Sequence, residues 1–418
     1  MKAVRALWRS GLAVLVSPGL TRYWGALPYW CRGRVPFPAH PPPALAWRRI
    51  GVIRLDGLGD LVVGTGFLRE LRRSFPAARI TLVVRHEWLP LVERCPHIDE
   101  ALGFSRRAYR RFAELRWHGA VVRLCFGKLW WRRFDCILLP QSQFGYYDTR
   151  PMAFLSGCGT RLGWLDDSLP VTPREVAARR LLSRGYSMPP GLHEAEKGYR
   201  FLELIGGHVE RRHLELWWDG EDEQAAATRL ARCGEGPHAR WVALGLAASH
   251  PEKRWPIDRF VALADWLATT HQARVVAVGG EDVAADAARL TSACRTTALN
   301  LTGVLTLRQT AAVLARCHLY VGNDSGPMHL AAAARVPVVE ISGWPAHAAP
   351  DHPSSPHRIG PWCAYRVIVQ PELAPAGPET SAAAVTLAQV QAAVTTLLHD
   401  APARSSALYA LGPASSLA

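Results

Sequence analysis

The stretch Tyr320–Ala334, YVGNDSGPMHLAAAA, contains the local pattern that decides the fold. A strand-like run stops at Asn323-Asp324-Ser325-Gly326, and a helix rich in small residues begins at Pro327. A turn of this composition directs several backbone N–H groups, and the positive end of a helix dipole, at whatever lies above the strand end. The stretch therefore predicts a cradle for a phosphate or diphosphate group.

A structural explanation of the same stretch is that its four alanines let a helix lie close to a sheet. That explanation accounts for the alanines. It leaves Asp324, Ser325 and His329 at the open edge without a role, so the cradle remains the favoured interpretation.

Apolar runs alternate with helical patterns along most of the chain, which is typical of a parallel sheet covered on both faces. IGVIRL, ARITLVVRH and FDCILLPQ predict strands of a first α/β series, and WVALGLAA, ARVVAVGG, HLYVGN and VPVVEISG predict strands of a second. A length of 418 residues also favours two domains. We expect domains at 47–207 and 208–400, an N-terminal extension at 1–46 and a disordered tail at 401–418.

The basic charge is local. The net charge is +14, but residues 1–49 hold eight Lys or Arg and no acid, and Phe104–Phe134 holds nine basic residues and one acid. The rest of the chain, with 32 basic and 34 acidic residues, has a net charge of −2. Tryptophans and a tyrosine are interleaved with the arginines of Phe104–Phe134. This patch fits an anionic glycolipid at a membrane surface, and the chain has no nucleic-acid-binding motif.

The N-terminal extension is basic and aromatic, and its best apolar run, Gly11–Val16, is too short to span a bilayer. A signal peptide would need a longer apolar segment and a cleavage site. A signal peptide is therefore disfavoured, and the other interpretations are an arm on an anionic leaflet and an unstructured leader. The nine cysteines are scattered without a CxxC pair, which indicates reduced thiols in a cytoplasmic protein.

Asp56-Gly57-Leu58-Gly59-Asp60 occupies the first strand-to-helix turn, where an NAD-binding protein would have GxGxxG. Val62 stands at the third glycine position, and Arg85-His86 ends the second strand where an acid would bind ribose. The dinucleotide interpretation therefore fails. What remains is a tight turn that presents Asp60 as a catalytic base, as a helix N-cap, or as both.

Two loops of the second series also contain candidate binding residues. ASHPEKRWP follows its first strand, and Lys253 is one of only four lysines in the chain. Lys253 offers a point charge for a phosphate oxygen and Ser249 offers a hydroxyl, although a solvated loop lysine is the simpler interpretation. Glu281 follows VVAVGG directly, where it can accept both hydroxyls of a ribose or cap the next helix.

No metal site is predicted. His347, His352 and His357 are five residues apart in a Pro-rich loop, a spacing that matches neither a helical metal site nor a zinc motif.

The candidate acceptor-binding residues are Arg54 and Arg85, which lie in the first two predicted strands.

The chain resembles glycosyltransferase family 9, the bacterial heptosyltransferases that use ADP-heptose to build the lipopolysaccharide inner core. The resemblance covers residues 48–400 and rests on six motifs in the same order. These are IRLDGLGDLVVGTGFLRELRRSFP, FLSGCGTRLGW, HEAEKGYRFLELIG, ASHPEKRWP, VGGED and VGNDSGPMHLAAAARVPVV.

The resemblance implies a GT-B fold, in which two Rossmann-like α/β domains face each other across a cleft, with acceptor on the first and nucleotide sugar on the second. It implies an inverting, metal-independent enzyme without a cofactor, located at the cytoplasmic face of the membrane, and it matches Asp60 to the general base. The residues that match donor-binding positions are Ser249, Lys253, Glu281, Asp324, Ser325, Gly326 and His329.

Two alternatives remain at this stage. One is a transferase of the same fold with another nucleotide sugar or with a capsule or protein acceptor. The other is a catalytically silent member that binds nucleotide or membrane as a scaffold. The joint presence of Asp60, Lys253 and Asp324 argues against the silent scaffold.

Overall fold

The protein is described from a computed structural model. The structure describes residues 26, 36, 43–105, 113–141, 148–165, 172–231, 240–350, 352, 354–372 and 381–400. The expectations for the N-terminal extension, apart from these few residues, and for the tail at 401–418 lie outside this part of the chain.

The first sheet has six parallel strands in the order β3-β2-β1-β4-β5-β6. The strands are β1 Arg49–Arg54, β2 Arg79–Arg85, β3 Glu100–Phe104, β4 Cys136–Leu139, β5 Arg161–Leu165 and β6 Arg184–Ser187. β1, β2 and β4 are buried along almost their whole length, which explains their continuous apolar sequences.

Eight helices lie between or after these strands in the described residues of the first half. They are α1 Leu58–Val63, α2 Thr65–Ser74, α3 Leu89–Val92, α4 Ala113–Leu124, α5 Trp130–Arg132, α6 Arg150–Leu155, α7 Pro173–Arg179 and α8 Glu194–Leu204. A π-helical turn, Cys125–Leu129, joins α4 to α5, and a short 3₁₀ turn spans His86–Trp88.

The second sheet also has six parallel strands, in the order β12-β11-β10-β7-β8-β9. They are β7 Arg240–Gly245, β8 Ala273–Val278, β9 Ala298–Asn300, β10 Leu319–Asn323, β11 Val338–Ile341 and β12 Arg366–Val369. Its helices are α9 Gly220–Ala231, α10 Ile257–His271, α11 Ala284–Ala293, α12 Leu307–Ala315, α13 Gly326–Ala333, α14 Pro356–Ile359 and α15 Leu387–Asp400.

Both sheets have the doubly wound order in which the chain reverses direction beside the first strand of the series. In the second sheet this reversal falls between β7 and β10, which pair directly. Ligands of open α/β sheets bind at the carboxyl ends of strands at such a point. The ends of β7 and β10 are therefore where a ligand site is expected. The α/β, doubly wound fold predicted from the sequence is confirmed.

The described chain divides into two compact units. The first contains the described residues up to Asp56, Phe67–Pro190 and Glu196–Arg211, and the second contains Gly57–Gly66, Gly191–Ala195 and the described residues from Arg212 onward. Helix α1, which carries Asp60, thus belongs to the unit of the second sheet. The domain limits given from the sequence stay a prediction.

Two secondary-structure predictions were wrong. The helical spacing of LVVGTGFLRELRRSF predicts one helix, but the structure has two, because α1 begins earlier, at Leu58, and ends at Val63 with Gly64 as its C-cap, before α2 begins at Thr65. The Pro- and His-rich composition of Pro345–Pro378 predicts a loop, but the segment contains α14 and β12. Proline at the first turn of α14 is compatible with a helix start, and the short edge strand β12 lacks an extended apolar pattern.

Seven cysteines of the described residues are free thiols, five of them buried. No helix within the described ranges is long and apolar enough to cross a membrane.

Candidate active site

The predicted cradle lies at the end of β10. Ser325 is the N-cap of α13, with extended backbone (φ −163°, ψ 169°), and its hydroxyl donates to the carbonyl of Asn323 at 3.1 Å. Its side chain makes no capping bond to the helix. The dipole of an eight-residue helix therefore points out of its amino end at Ser325 and Gly326, as the sequence predicted.

Asn323 fixes the loop beside this cradle. Its side chain accepts a hydrogen bond from the Trp255 N–H at 3.0 Å and donates one to the Leu246 carbonyl at 2.8 Å. Asn323 is fully buried, so these bonds satisfy both ends of its amide. They hold the loop after β7, which contains Lys253, against the end of β10.

Lys253 and Asp324 form an ion pair across these two loops. The Lys253 ammonium lies 2.7 Å from Asp324 Oδ2, and the two side chains are 24% and 14% exposed. The pair brings together two of the residues named from the sequence. It also places a cation beside the amino end of α13, where a diphosphate would compete with Asp324 for it.

His329 lies one turn into α13 and is buried among the elements of the second unit. Burial lowers the pKa of His329 to about 4, an effect that Asp324 opposes and Lys253 reinforces. Its Nδ1 has no hydrogen-bond partner in the described part of the chain. His329 is therefore a neutral imidazole at pH 7.

Helix α1 crosses α13 at very short range. A Cβ at Gly59 would lie 2.4 Å from His329 Cδ2, and a Cβ at Gly326 would lie 2.7 Å from Leu58 Cδ2. Glycine at both positions is what allows this approach. The crossing places Asp60 in the same unit as the cradle.

Asp60 is the third residue of α1, not its N-cap. The N-cap is Gly57, and the half-buried Asp60 carboxylate accepts the Gly57 N–H at 3.1 Å. This is the carboxylate half of a capping box. The expectation that Asp60 is the N-cap was thus wrong, although its side chain does stabilise the amino end of α1.

Ser249 and Glu281 follow β7 and β8 and are both exposed. Glu281 begins a 3₁₀ turn whose N-cap is Gly280, and the N-cap of α11 is Val283, so Glu281 caps neither. The backbone of Gly303 packs against Glu281, with a Cβ there lying 3.2 Å from its Cα. Both residues stand at the carboxyl edge of the sheet, and their donor-binding roles stay predictions.

Arg54 and Arg85, the candidate acceptor-binding residues, end β1 and β2 in the first unit. Arg54 is 5% exposed, and its guanidinium donates to Asp56 at 2.9 Å. Arg85 lies over the Trp88 ring at 5.0 Å from the centroid. Arg54 is thus buried and engaged, while Arg85 is more accessible to a ligand.

Sequence reasoning missed Glu340, which lies on β11 beside Gly322 of β10. Glu340 is 1% exposed, and its Oε2 has no hydrogen-bond partner among the described residues. Burial, and secondarily the negative charge of Asp324, raise its pKa well above the usual value. A single acid inside the apolar run VPVVEISG was the available signal.

Sequence reasoning also missed His193, the first residue of the HEAEKGY motif. The Ala195 N–H donates to its Nδ1 at 3.1 Å, so its Nε2 carries the proton and donates to the Gly360 carbonyl at 2.9 Å. The ring lies 4.7 Å from that of Trp362. Burial lowers the pKa of His193 to about 4, and the nearby His329 adds to this effect.

Within the described ranges, no group of three or more His, Cys, Asp and Glu side chains could hold a metal ion. The cationic elements of the cradle are Lys253 and the amino end of α13. Together with the carboxylate of Asp60, they form the candidate active site.

These features define a class of protein with two doubly wound α/β units of GT-B type. The solved glycosyl transferase family 9 protein from Veillonella parvula DSM 2008 shares this fold, with a TM-score of 0.71 at 22% identity, covering 87% of this chain and all of that one. The Escherichia coli heptosyltransferase WaaC, solved with ADP, has a TM-score of 0.61 at 17% identity, covering 83% of this chain and 99% of that one.

The family model "Glycosyltransferase family 9 (heptosyltransferase)" matches residues 184–378. Lipopolysaccharide heptosyltransferase 2 of Salmonella typhimurium is 35% identical over 319 residues, which are 71% of this chain and 82% of that protein. The chain therefore belongs to glycosyltransferase family 9 and is a glycosyltransferase.

Removing the cation of the Lys253–Asp324 pair tests whether the two side chains depend on each other. We expect Lys253→Gln to lower the free energy of unfolding by about 1 to 2 kcal/mol, between the values for exposed and buried pairs, because Asp324 loses its partner. Adding Asp324→Asn should recover most of this loss. Urea unfolding of the two single variants and the double variant measures the coupling, and additive losses would contradict the pairing.

The buried histidines predict a loss of stability in acid. An ordinary histidine has a pKa of about 6.5, and burial lowers that of His193 and His329 to about 4. Below pH 6.5 the unfolded chain binds protons that the folded chain does not, so unfolding becomes easier as the pH falls toward 4.

His329→Gln should flatten this acid dependence, since glutamine does not titrate. The measurement is the urea midpoint of wild type and variant between these two pH values. Parallel profiles would show that His329 titrates normally in the folded protein.

Proposed function

We propose that the protein transfers a heptose from ADP-heptose to the core of lipopolysaccharide or a related glycan, with inversion at the anomeric carbon. The relatives are named as lipopolysaccharide or lipooligosaccharide heptosyltransferases, and WaaC was solved with ADP. The chain matches more than 80% of the length of these relatives, so the comparison extends over most of each protein.

The observation that carries the proposal is the cradle at the end of β10. Lys253, held by Asp324 at 2.7 Å, and the amino end of α13 face the same strand end. A diphosphate leaving group develops negative charge as its bond to the anomeric carbon breaks. A cation and a helix amino end stabilise that charge. The backbone N–H groups of Ser325 and Gly326, at the amino end of α13, offer hydrogen-bond donors to the same oxygens.

In the proposed mechanism the acceptor hydroxyl attacks the anomeric carbon of the donor in one displacement. Asp60 takes the proton of that hydroxyl, the new glycosidic bond forms, and the bond to the diphosphate oxygen breaks on the opposite face. The electron pair of the broken bond leaves with ADP. The transition state resembles an oxocarbenium ion, so stabilising ADP matters at least as much as the base.

We further propose that the reaction needs neither a divalent cation nor a cofactor. A divalent ion in such a reaction neutralises the leaving diphosphate. Lys253 and the dipole of α13 supply positive charge at the same position. His329 and His193 are neutral, so Lys253 is the side chain of this group that provides the cation.

The proposed acceptor is an anionic glycolipid reached from the cytoplasmic face of the membrane, with the protein bound peripherally. The basic, aromatic segment Phe104–Phe134 of the first unit supports this location, since anionic lipids attract clustered Lys and Arg. Residues 106–112 of the segment lie outside the described structure.

The proposal is tested by thermal shift with ADP, UDP, GDP and their sugars, followed by ADP release with candidate acceptors. Stabilisation by ADP and ADP-heptose, with release of ADP on a heptose-deficient core, is expected. Preference for UDP or GDP would reject the proposed donor, and nucleotide binding without turnover on any acceptor would favour the silent scaffold.

Asp60→Asn is expected to reduce turnover about 10² to 10⁴-fold, the usual contribution of a general base. Asparagine retains an oxygen that can accept the Gly57 N–H, so helix α1 should remain intact. ADP affinity, measured by calorimetry, should stay near that of the wild type. Near-normal turnover in the variant would reject Asp60 as the base.

A further inference from the structure

One helical segment of the first unit exposes an unusual surface. Helix α4, the π-helical turn and α5 run without a break from Ala113 to Arg132. Their inner face contributes to the core, where Leu124, Leu129 and Trp130 are buried. Their outer face exposes Gly119, Arg123, Gly127, Lys128 and Trp131, which we call the outer stripe.

Trp131 is the most exposed large apolar side chain of the described residues, at 62%. Its neighbour Trp130 is only 2% exposed and packs against Phe126 at a ring distance of 5.6 Å. The two tryptophans thus point in different directions, one into the core and one outward. An indole with an apolar body and a polar N–H is favoured at the boundary between lipid and water.

The stripe is cationic. Arg123 and Lys128 are exposed, Arg133 follows directly, and none of the three forms an ion pair with a carboxylate within the described ranges. Arg132 differs, because it donates through two nitrogens to Glu100. The cations of the stripe are therefore available to an anionic partner, while Arg132 fixes the segment to β3.

Two glycines keep the stripe flat. A Cβ at Gly119 or Gly127 would meet no heavy atom within 4 Å, and neither has a positive φ. Alanine would fit at both positions and would favour the helix. No packing within the described structure requires glycine at either position. Because neither residue has a side chain, a flat surface outside the protein could approach the helix backbone closely there.

The occupant that these features fit best is a lipid bilayer with anionic headgroups. A bilayer is flat, attracts Lys and Arg through its surface potential and accommodates an indole at headgroup depth. A protein partner would need a larger apolar centre than a single tryptophan provides. We propose that the outer stripe docks the protein on an anionic membrane. This proposal rests on the proposed function only for the identity of the acceptor lipid.

The test is co-sedimentation of the full chain with vesicles of phosphatidylcholine and phosphatidylglycerol, or of phosphatidylcholine alone. We expect binding to the anionic vesicles that weakens with added salt. Each cation near such a surface contributes about 1 kcal/mol, so Arg123→Ala with Lys128→Ala should weaken binding about 30-fold. Trp131→Ala should weaken it as well.

Gly127→Glu provides a further test, since the position has room for a side chain and the carboxylate would repel the membrane. Matched controls in the second unit are Tyr365→Ala for the exposed aromatic and Arg240→Ala with Arg295→Ala for the charges. These controls should bind like the wild type. Circular dichroism and the ADP thermal shift confirm that every variant is folded.

Equal binding of the stripe variants and the wild type, or no preference of the wild type for anionic vesicles, would overturn the docking surface. The outcome is separable from the transferase proposal. If ADP release fails on every acceptor, vesicle binding is still expected, and if docking fails, the ADP thermal shift is still expected.

Discussion

The structure of the candidate site depends on the close crossing of helices α1 and α13. Gly59 lies where any larger residue would collide with His329, and Gly326 lies where it would collide with Leu58. Because neither glycine has a side chain, the turn that carries Asp60 packs into the unit of the second sheet. The proposed base and the proposed diphosphate cradle therefore belong to one compact body, and their separation does not depend on a movement of domains.

Most of the titratable side chains around the cradle are either paired with an opposite charge or uncharged. Lys253 and Asp324 neutralise each other, and burial keeps His329 and His193 neutral. Burial also raises the pKa of Glu340, which favours its uncharged form close to Asp324. The positive charge of Lys253 is thus partly balanced by Asp324 before a diphosphate binds, and we expect the ligand to compete with Asp324 for it.

The sequence predicted the central strands of both sheets and failed at their edges. β1, β2, β4, β7, β8, β10 and β11 are short apolar runs that are buried on both faces, and each was predicted. The edge strands β3, β6, β9 and β12 pair on one side only and include polar segments such as RGYS. Edge strands tolerate polar residues, so their pattern resembles loop. β5 was also missed.

At the site, the residues beside strand ends could be predicted from the sequence, because turn-forming residues act locally. Two of them, Lys253 and Asp324, form an ion pair in the structure. The burial of Glu340 and the hydrogen bond from His193 to the Gly360 carbonyl could not be predicted, because both arise from tertiary packing. The close crossing of α1 and α13 could not be predicted either. The need for glycine at Gly59 and Gly326 is evident only from the distances between the two packed helices.

The most direct test of this account is the turnover of Gly59→Ala at saturating donor. A Cβ at this position would lie 2.4 Å from the buried His329 ring, so α1 and this ring must move apart, which we expect to displace Asp60. A displacement on the order of 1 Å can cost about 10²-fold in rate, and turnover should fall far more than ADP affinity. A folded Gly59→Ala protein with wild-type turnover would contradict the claim that this crossing positions the base.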